Sequence, residues 1–111
     1  MADLNRSPCS MEVIVDVLGG KWKPGILFNL LERPFRFAEL RRQLGPISEK
    51  TLMMQLRDLE REGVISRTDY GEKPLRVEYE LTQYGRSLEP ILRLMGEWGD
   101  KHERWRSKLP L

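Results

Sequence analysis

The apolar positions of this chain change period partway along, and the change defines its elements. Phe37, Leu40 and Leu44 recur at helical spacing, Gly45-Pro46-Ile47 interrupts them, and Ser48 stands as an N-cap before Leu52, Leu56 and Leu59, which recur on one side. Two short helices joined by a tight glycine-containing turn are predicted. After Gly63 the period drops to two. Val64 to Tyr70 forms one run, 71–75 a connection, and Arg76 to Leu81 a second run. There Val77, Tyr79 and Leu81 share one face and Arg76, Glu78 and Glu80 the other, the pattern of a half-buried strand in a hairpin.

The flanks are helical. Ser7 is expected to cap a first helix with Pro8 at its first position, where the missing N–H costs nothing; Met11, Ile14, Val15 and Leu18 mark its apolar face and Gly19-Gly20 its end. A second helix starts around Lys21-Trp22-Lys23-Pro24, buries Ile26, Leu27, Leu30 and Leu31, and stops before Arg33-Pro34. Phe35-Arg36 is expected to add a short strand to the hairpin. Thr82 is expected to cap a long last helix on which Leu88, Ile91, Met95, Trp98, His102 and Trp105 follow spacings of 3, 4, 3, 4 and 3, an a/d seam. Pro90 predicts a bend or an irregular first turn there. The sum is a mainly α chain with a small β-hairpin wing (α+β). It reads as a winged helix-turn-helix, one domain over 1–111, with a long C-terminal dimerisation helix.

Projected at about 100° per residue, the second helix of the turn motif places Lys50, Met54, Arg57 and Arg61 opposite its leucines, flanked by Thr51 and Asp58. Basic side chains on a helix face ordinarily do no more than solvate it. The hairpin that follows changes this. A wing tip carrying Lys73 and Arg76 suits phosphate or minor-groove contact, while Ser48, Lys50, Thr51, Met54, Gln55 and Arg57 suit a major groove. Double-stranded DNA is therefore the expected partner. The alternative is a winged-helix module that binds protein and not DNA; such a face would carry apolar anchors, whereas this one has a single Met54 among polar groups.

Composition narrows the rest. The chain has 111 residues, 40% hydrophobic, with 19 Lys and Arg against 17 Asp and Glu, so distribution and not net charge must argue for nucleic acid. No run of about 18 apolar residues exists and the first residues lack the apolar core of a signal peptide, which predicts a cytoplasmic protein without membrane association. Cys9 and His102 are the only residues of their types. They offer neither metal-ligand spacing nor a convergent catalytic set, so no cofactor and no enzyme activity are expected. Two tryptophans on the seam are expensive to leave in water, which favours a homodimer built on Leu88, Ile91, Met95, Trp98 and Trp105.

This arrangement resembles the HxlR family of bacterial winged-helix transcriptional regulators, related in fold to the MarR regulators. The residues that carry the resemblance are Cys9, Gly19-Gly20-Lys21-Trp22, Arg36-Phe37, Glu39-Leu40, Ile47-Ser48-Glu49-Lys50, Leu56-Arg57, Leu59-Glu60, Gly63, Val77-Glu78-Tyr79, Leu81-Thr82, Gly85 and Trp98. It implies a homodimeric DNA-binding regulator with the helix after Ser48 in the major groove. It also adds the first helix, through Met11, Ile14 and Val15, to the dimer contact. Several family members respond to electrophiles or oxidants through a cysteine at the position of Cys9, which makes Cys9 a candidate sensor. A thiol in a first helical turn near Arg6 would have its thiolate favoured by the helix dipole. The family's usual proline after this cysteine is Ser10 here, and a lone cysteine also serves as a small buried hydrophobe.

Overall fold

The computed structural model describes residues 3–110, with side chains from residue 10 onward. Its elements run α1 Asp3–Leu18, α2 Lys23–Leu30, β1 Phe35–Arg36, α3 Phe37–Leu44, α4 Glu49–Arg61, β2 Ile65–Asp69, β3 Val77–Leu81, a 3-10 turn Gly85–Leu88 and α5 Glu89–Arg106. The strands form one antiparallel sheet in the order β1-β3-β2, with Phe35 opposite Tyr79 and Ile65 opposite Leu81. This is the winged helix-turn-helix fold: helices α2, α3 and α4 pack on a small sheet whose β2-β3 hairpin is the wing.

The core sits among those helices and the sheet. Ile26, Leu27 and Leu30 of α2, Leu40 of α3, and Leu52, Leu56 and Leu59 of α4 are completely buried, with Phe35, Ile47, Val64, Ile65, Tyr79 and Leu81 closing the cluster. The short β1 earns its place by carrying Phe35 inward while Arg36 stays outside. From the last helix only Leu92, 2% exposed, reaches this core. Leu92 lies off the a/d seam. The helix thus docks through one side and leaves Ile91, Met95, Trp98 and Trp105 of the seam exposed, while Leu88, in the preceding 3-10 turn, packs half-buried on the core.

Two element boundaries differ from the sequence expectation. α1 begins at Asp3, before Ser7, so Ser7 is not its N-cap and Pro8 lies inside the helix. As the sixth residue of the helix, Pro8 removes the bond its amide would make one turn back and crowds the carbonyl there, a cost the first-turn placement expected from the sequence would have avoided. Thr82 does cap a turn, but the 3-10 turn: its Oγ1 accepts from the Gly85 amide at 2.9 Å and donates to the Gly63 carbonyl at 2.7 Å. α5 starts later, at Glu89, with Pro90 in its first turn, where a missing N–H breaks nothing. The irregular start replaces a bend.

Gly85 makes this junction feasible. A Cβ there would stand 2.0 Å from the Val64 carbonyl oxygen, which itself accepts from the Thr82 amide at 3.0 Å. The backbone leaving the wing therefore lies directly on the backbone leaving α4, and only a residue without a side chain allows the approach.

The molecule is extended. Its radius of gyration is 16.3 Å, against about 13 Å for a globule of this length. Helices α1 and α5 carry exposed apolar residues: Met11, Val13, Ile14 and Val15 on α1, and Ile91, Leu94, Met95, Trp98 and Trp105 on α5. Along α5 the Trp98 and His102 rings stack at 4.9 Å and His102 stacks on Trp105 at 5.6 Å.

Candidate nucleic-acid interface

Local chemistry fixes the N-terminal end of α4. At its start the Ser48 Oγ accepts from the Thr51 amide at 3.0 Å and its hydroxyl donates to the Thr51 Oγ1 at 2.9 Å, which satisfies one of the orphan amides of α4. The Thr51 hydroxyl keeps its own hydrogen for an outside acceptor. The turn before it is set by Gly45, whose φ of 87° is open to glycine at no cost, and by Arg41 of α3. The Arg41 Nε donates to the Ile47 carbonyl at 2.9 Å while a second guanidinium nitrogen reaches Glu49 at 3.2 Å. One side chain thus clamps the turn to the first residue of α4. At the front of α3 the Glu39 carboxylate accepts from the Arg36 amide at 2.9 Å. That bond, reinforced by the nearby Arg33 guanidinium, holds the Glu39 carboxyl below the usual carboxylate range.

The outer face of α4 matches the projection. Lys50, Met54 and Arg57 are exposed, Met54 at 52%, and Thr51 and Gln55 are half-buried beside them. Lys50 and Arg57 enter no ion pair among the described residues. Arg61 is engaged, paired with Asp58 one turn earlier.

The wing departs from the picture of two free cations. Lys73 is exposed at the tip. Arg76, however, lies over the Tyr70 ring at 3.9 Å, with its Nε 3.6 Å from Glu72 and 3.9 Å from Glu78. Those separations allow charge pairing but exceed hydrogen-bond length, and the buried Nε is left without a hydrogen-bond partner. The Tyr70 hydroxyl donates to Glu78 at 3.3 Å and its amide to the Arg76 carbonyl at 2.9 Å, so Arg76 sits in a small aromatic and acidic cradle that shapes the hairpin.

Sequence reasoning did not single out Arg41, Arg42 or Arg67, all near the reading helix or on the wing. Arg42 and Arg67 carried a usable signal, being basic residues at outward positions of flanking elements. Arg41 carried none, since its partner is a main-chain carbonyl in the turn. The expected interface residues Met11, Ile14, Val15, Leu88, Ile91, Met95, Trp98 and Trp105 all lie on α1, the 3-10 turn or α5, and none on α4 or the wing. The side chain of Cys9 falls outside the described residues; its backbone is the seventh residue of α1 and so lies past the first helical turn in which the sequence placed it.

A sheet-backed helix pair with a polar, partly cationic second helix and a flanking wing defines a DNA-binding protein of the winged helix-turn-helix class. Residues 17–107 match the model of the HxlR-like helix-turn-helix family, and the chain belongs to that family. Among its relatives is the Bacillus subtilis HTH-type transcriptional regulator YdeP, 44% identical over 95 residues that span 86% of this chain and 74% of that one. The crystal structure of the regulator ytcD superposes with a TM-score of 0.81 at 47% identity, covering 85% of this chain and 96% of that one. The redox regulator HypR in its reduced form gives 0.84 at 39% identity, covering 90% and 99%. Transcription regulation through a DNA-binding helix-turn-helix is the function of the class. No helix among the described residues is long and apolar enough to cross a membrane.

Proposed function

We propose that the protein is a cytoplasmic homodimer, one domain per chain, that reads a roughly palindromic DNA operator. Helix α4 enters the major groove, where Arg57 meets guanine or phosphate, Lys50 phosphate, and Thr51 and Gln55 base edges. Met54 offers an apolar contact of the kind that suits a thymine methyl. Ser48 presents the N-terminus of α4 to the backbone. Lys73 reaches phosphate from the wing, joined by Arg76 when it trades its carboxylate neighbours for phosphate. The observation that carries this reading is the division of α4: Leu52, Leu56 and Leu59 are wholly buried, while the opposite side presents Lys50 and Arg57, in no ion pair among the described residues, and short polar groups around one methionine.

Alanine at Thr51 or Gln55 should change sequence preference at about 1–3 kcal/mol per lost base contact. Neutralising Lys73 and Arg76 should instead weaken all sites alike and flatten log K against log salt by about 0.9 per phosphate contact removed. Titrations of both sets against fragments upstream of the protein's own gene, at several salt concentrations, separate base reading from positioning. Unchanged preference in the α4 variants would place the DNA elsewhere.

A second layer concerns Cys9. HypR is described as a redox regulator with oxidised and reduced forms, and YodB, another regulator of this fold, with a diamide-treated one. Cys9 lies on α1, the helix proposed to carry part of the dimer contact. An adduct or oxidation there would shift the angle between the two reading heads, so Cys9 is proposed to sense an electrophile or oxidant. Cys9→Ser should bind the operator normally and no longer release it on exposure to quinone, aldehyde or peroxide. A wild-type protein indifferent to all three, with a thiol slow to alkylate, would leave Cys9 a packing residue.

A further inference from the structure

Lys23 is placed against its own helix. It occupies the first turn of α2, where the helix dipole disfavours a cation, and its side chain is only 13% exposed. Its ammonium turns back instead: it donates to the Asp16 carbonyl at 2.9 Å, in the last turn of α1, and stands 3.6 Å from the Asp58 carboxylate of α4. The last turn of α1 contains no basic residue of its own. Lys23 therefore supplies the cation that the C-terminal end of α1 lacks, and the same charge holds a carboxylate on the reading helix. Asp58 in turn pairs with Arg61 on the solvent side.

These contacts join two helices with separate tasks. α1 carries the exposed apolar face of Met11, Ile14 and Val15, and α4 the face proposed above to meet DNA. We propose that Lys23 is a positioning residue that sets the angle between the dimer arm and the reading helix, and so the separation of the two reading helices in the dimer. The inference rests on the twofold reading above. Its chemistry favours lysine: a point charge on a flexible stem satisfies a carbonyl and a carboxylate from different helices at once, with no planar fork to align.

The test uses the intact protein and a series of operator fragments whose half-site spacing differs by one or two base pairs. Wild type should show a sharp optimum. Lys23→Met, which keeps the stem and removes the charge, should lose about tenfold at that optimum and respond weakly to spacing, with affinity for a single half-site unchanged. Asp58→Asn should flatten the profile in the same way, the double variant should be no worse than Lys23→Met, and Lys23→Arg should regain part of the optimum. If Lys23→Met folds poorly, Asp58→Asn and Lys23→Arg carry the comparison. A Lys23→Met profile parallel to wild type, or half-site affinity falling by the same factor, would overturn the positioning role. A wild type with no spacing preference would remove the twofold reading itself, and this inference with it.

Discussion

Met95→Glu should turn the protein into monomers that hold DNA weakly and without sequence preference. Met95 is exposed on α5 and lines an open groove of about 580 Å³ together with Ile91, Leu94 and Trp98. If a second protomer closes that groove, the twofold axis doubles every substitution, and each carboxylate would enter a contact that is apolar except at its Glu97 and Lys101 rim, losing more to desolvation than a rim lysine returns. Losing one of two heads removes most of the gap between specific and nonspecific binding, so operator affinity should fall by about a thousandfold or more. Sedimentation measures the first part and a binding titration the second, with far-UV circular dichroism confirming that the head is folded. Inserting about five base pairs between half-sites tests the same geometry from the DNA side, because half a helical turn points one reading helix away from its groove. A Met95→Glu protein that remains dimeric would move the interface to Met11, Ile14 and Val15.

Gly85→Ala should be among the most costly single-methyl additions in the chain. The added carbon would lie 2.0 Å from the Val64 carbonyl oxygen, and the obstacle is backbone, so no side-chain rotation relieves it. Moving that carbonyl pulls on the Thr82 amide it accepts from and on the Thr82 hydroxyl link to Gly63, which together fasten the wing to the end of α4. A loss of about 1–3 kcal/mol is expected, visible as a lowered midpoint in urea or thermal unfolding. Retention of wild-type stability would mean that the turn relaxes freely and does not fasten the wing.

Much of this architecture is legible in the sequence because it is written in local signals. Ser48 caps α4 through a bond to a residue three positions on, and Leu52, Leu56 and Leu59 announce their burial by spacing alone. Phe35 and Arg36 alternate as a strand must, and pair with β3 as expected. What the sequence conceals depends on distance. Thr82 looks like a helix cap, but the close approach of Gly85 to Val64 makes its turn a 3-10 turn and postpones α5 to Glu89. Leu92 is off the seam, so periodicity assigns it no role, yet it is the residue by which α5 meets the core. Arg76 reads as a free charge at a wing tip until the hairpin brings Tyr70, Glu72 and Glu78 around it. Lys23 and Arg41 act on carbonyls of other elements, and carbonyls leave no trace in side-chain pattern. The outer face of α4 is the exception among site features, since exposure on a regular helix follows from the burial of its opposite side.

The stacked row on α5 gives the protein an optical probe of its own. Of three tryptophans, Trp98 and Trp105 stand 65% and 57% exposed on either side of His102, whereas Trp22 is half-buried at the start of α2 and packs on the core. Indole emission shifts to longer wavelength as water gains access to the ring. Dilution that separates protomers closed over α5 would therefore redden two of the three emitters while Trp22 kept its surroundings, and unfolding of the head would redden the third. Assembly and folding could then be followed separately on the unlabelled chain, by its own light.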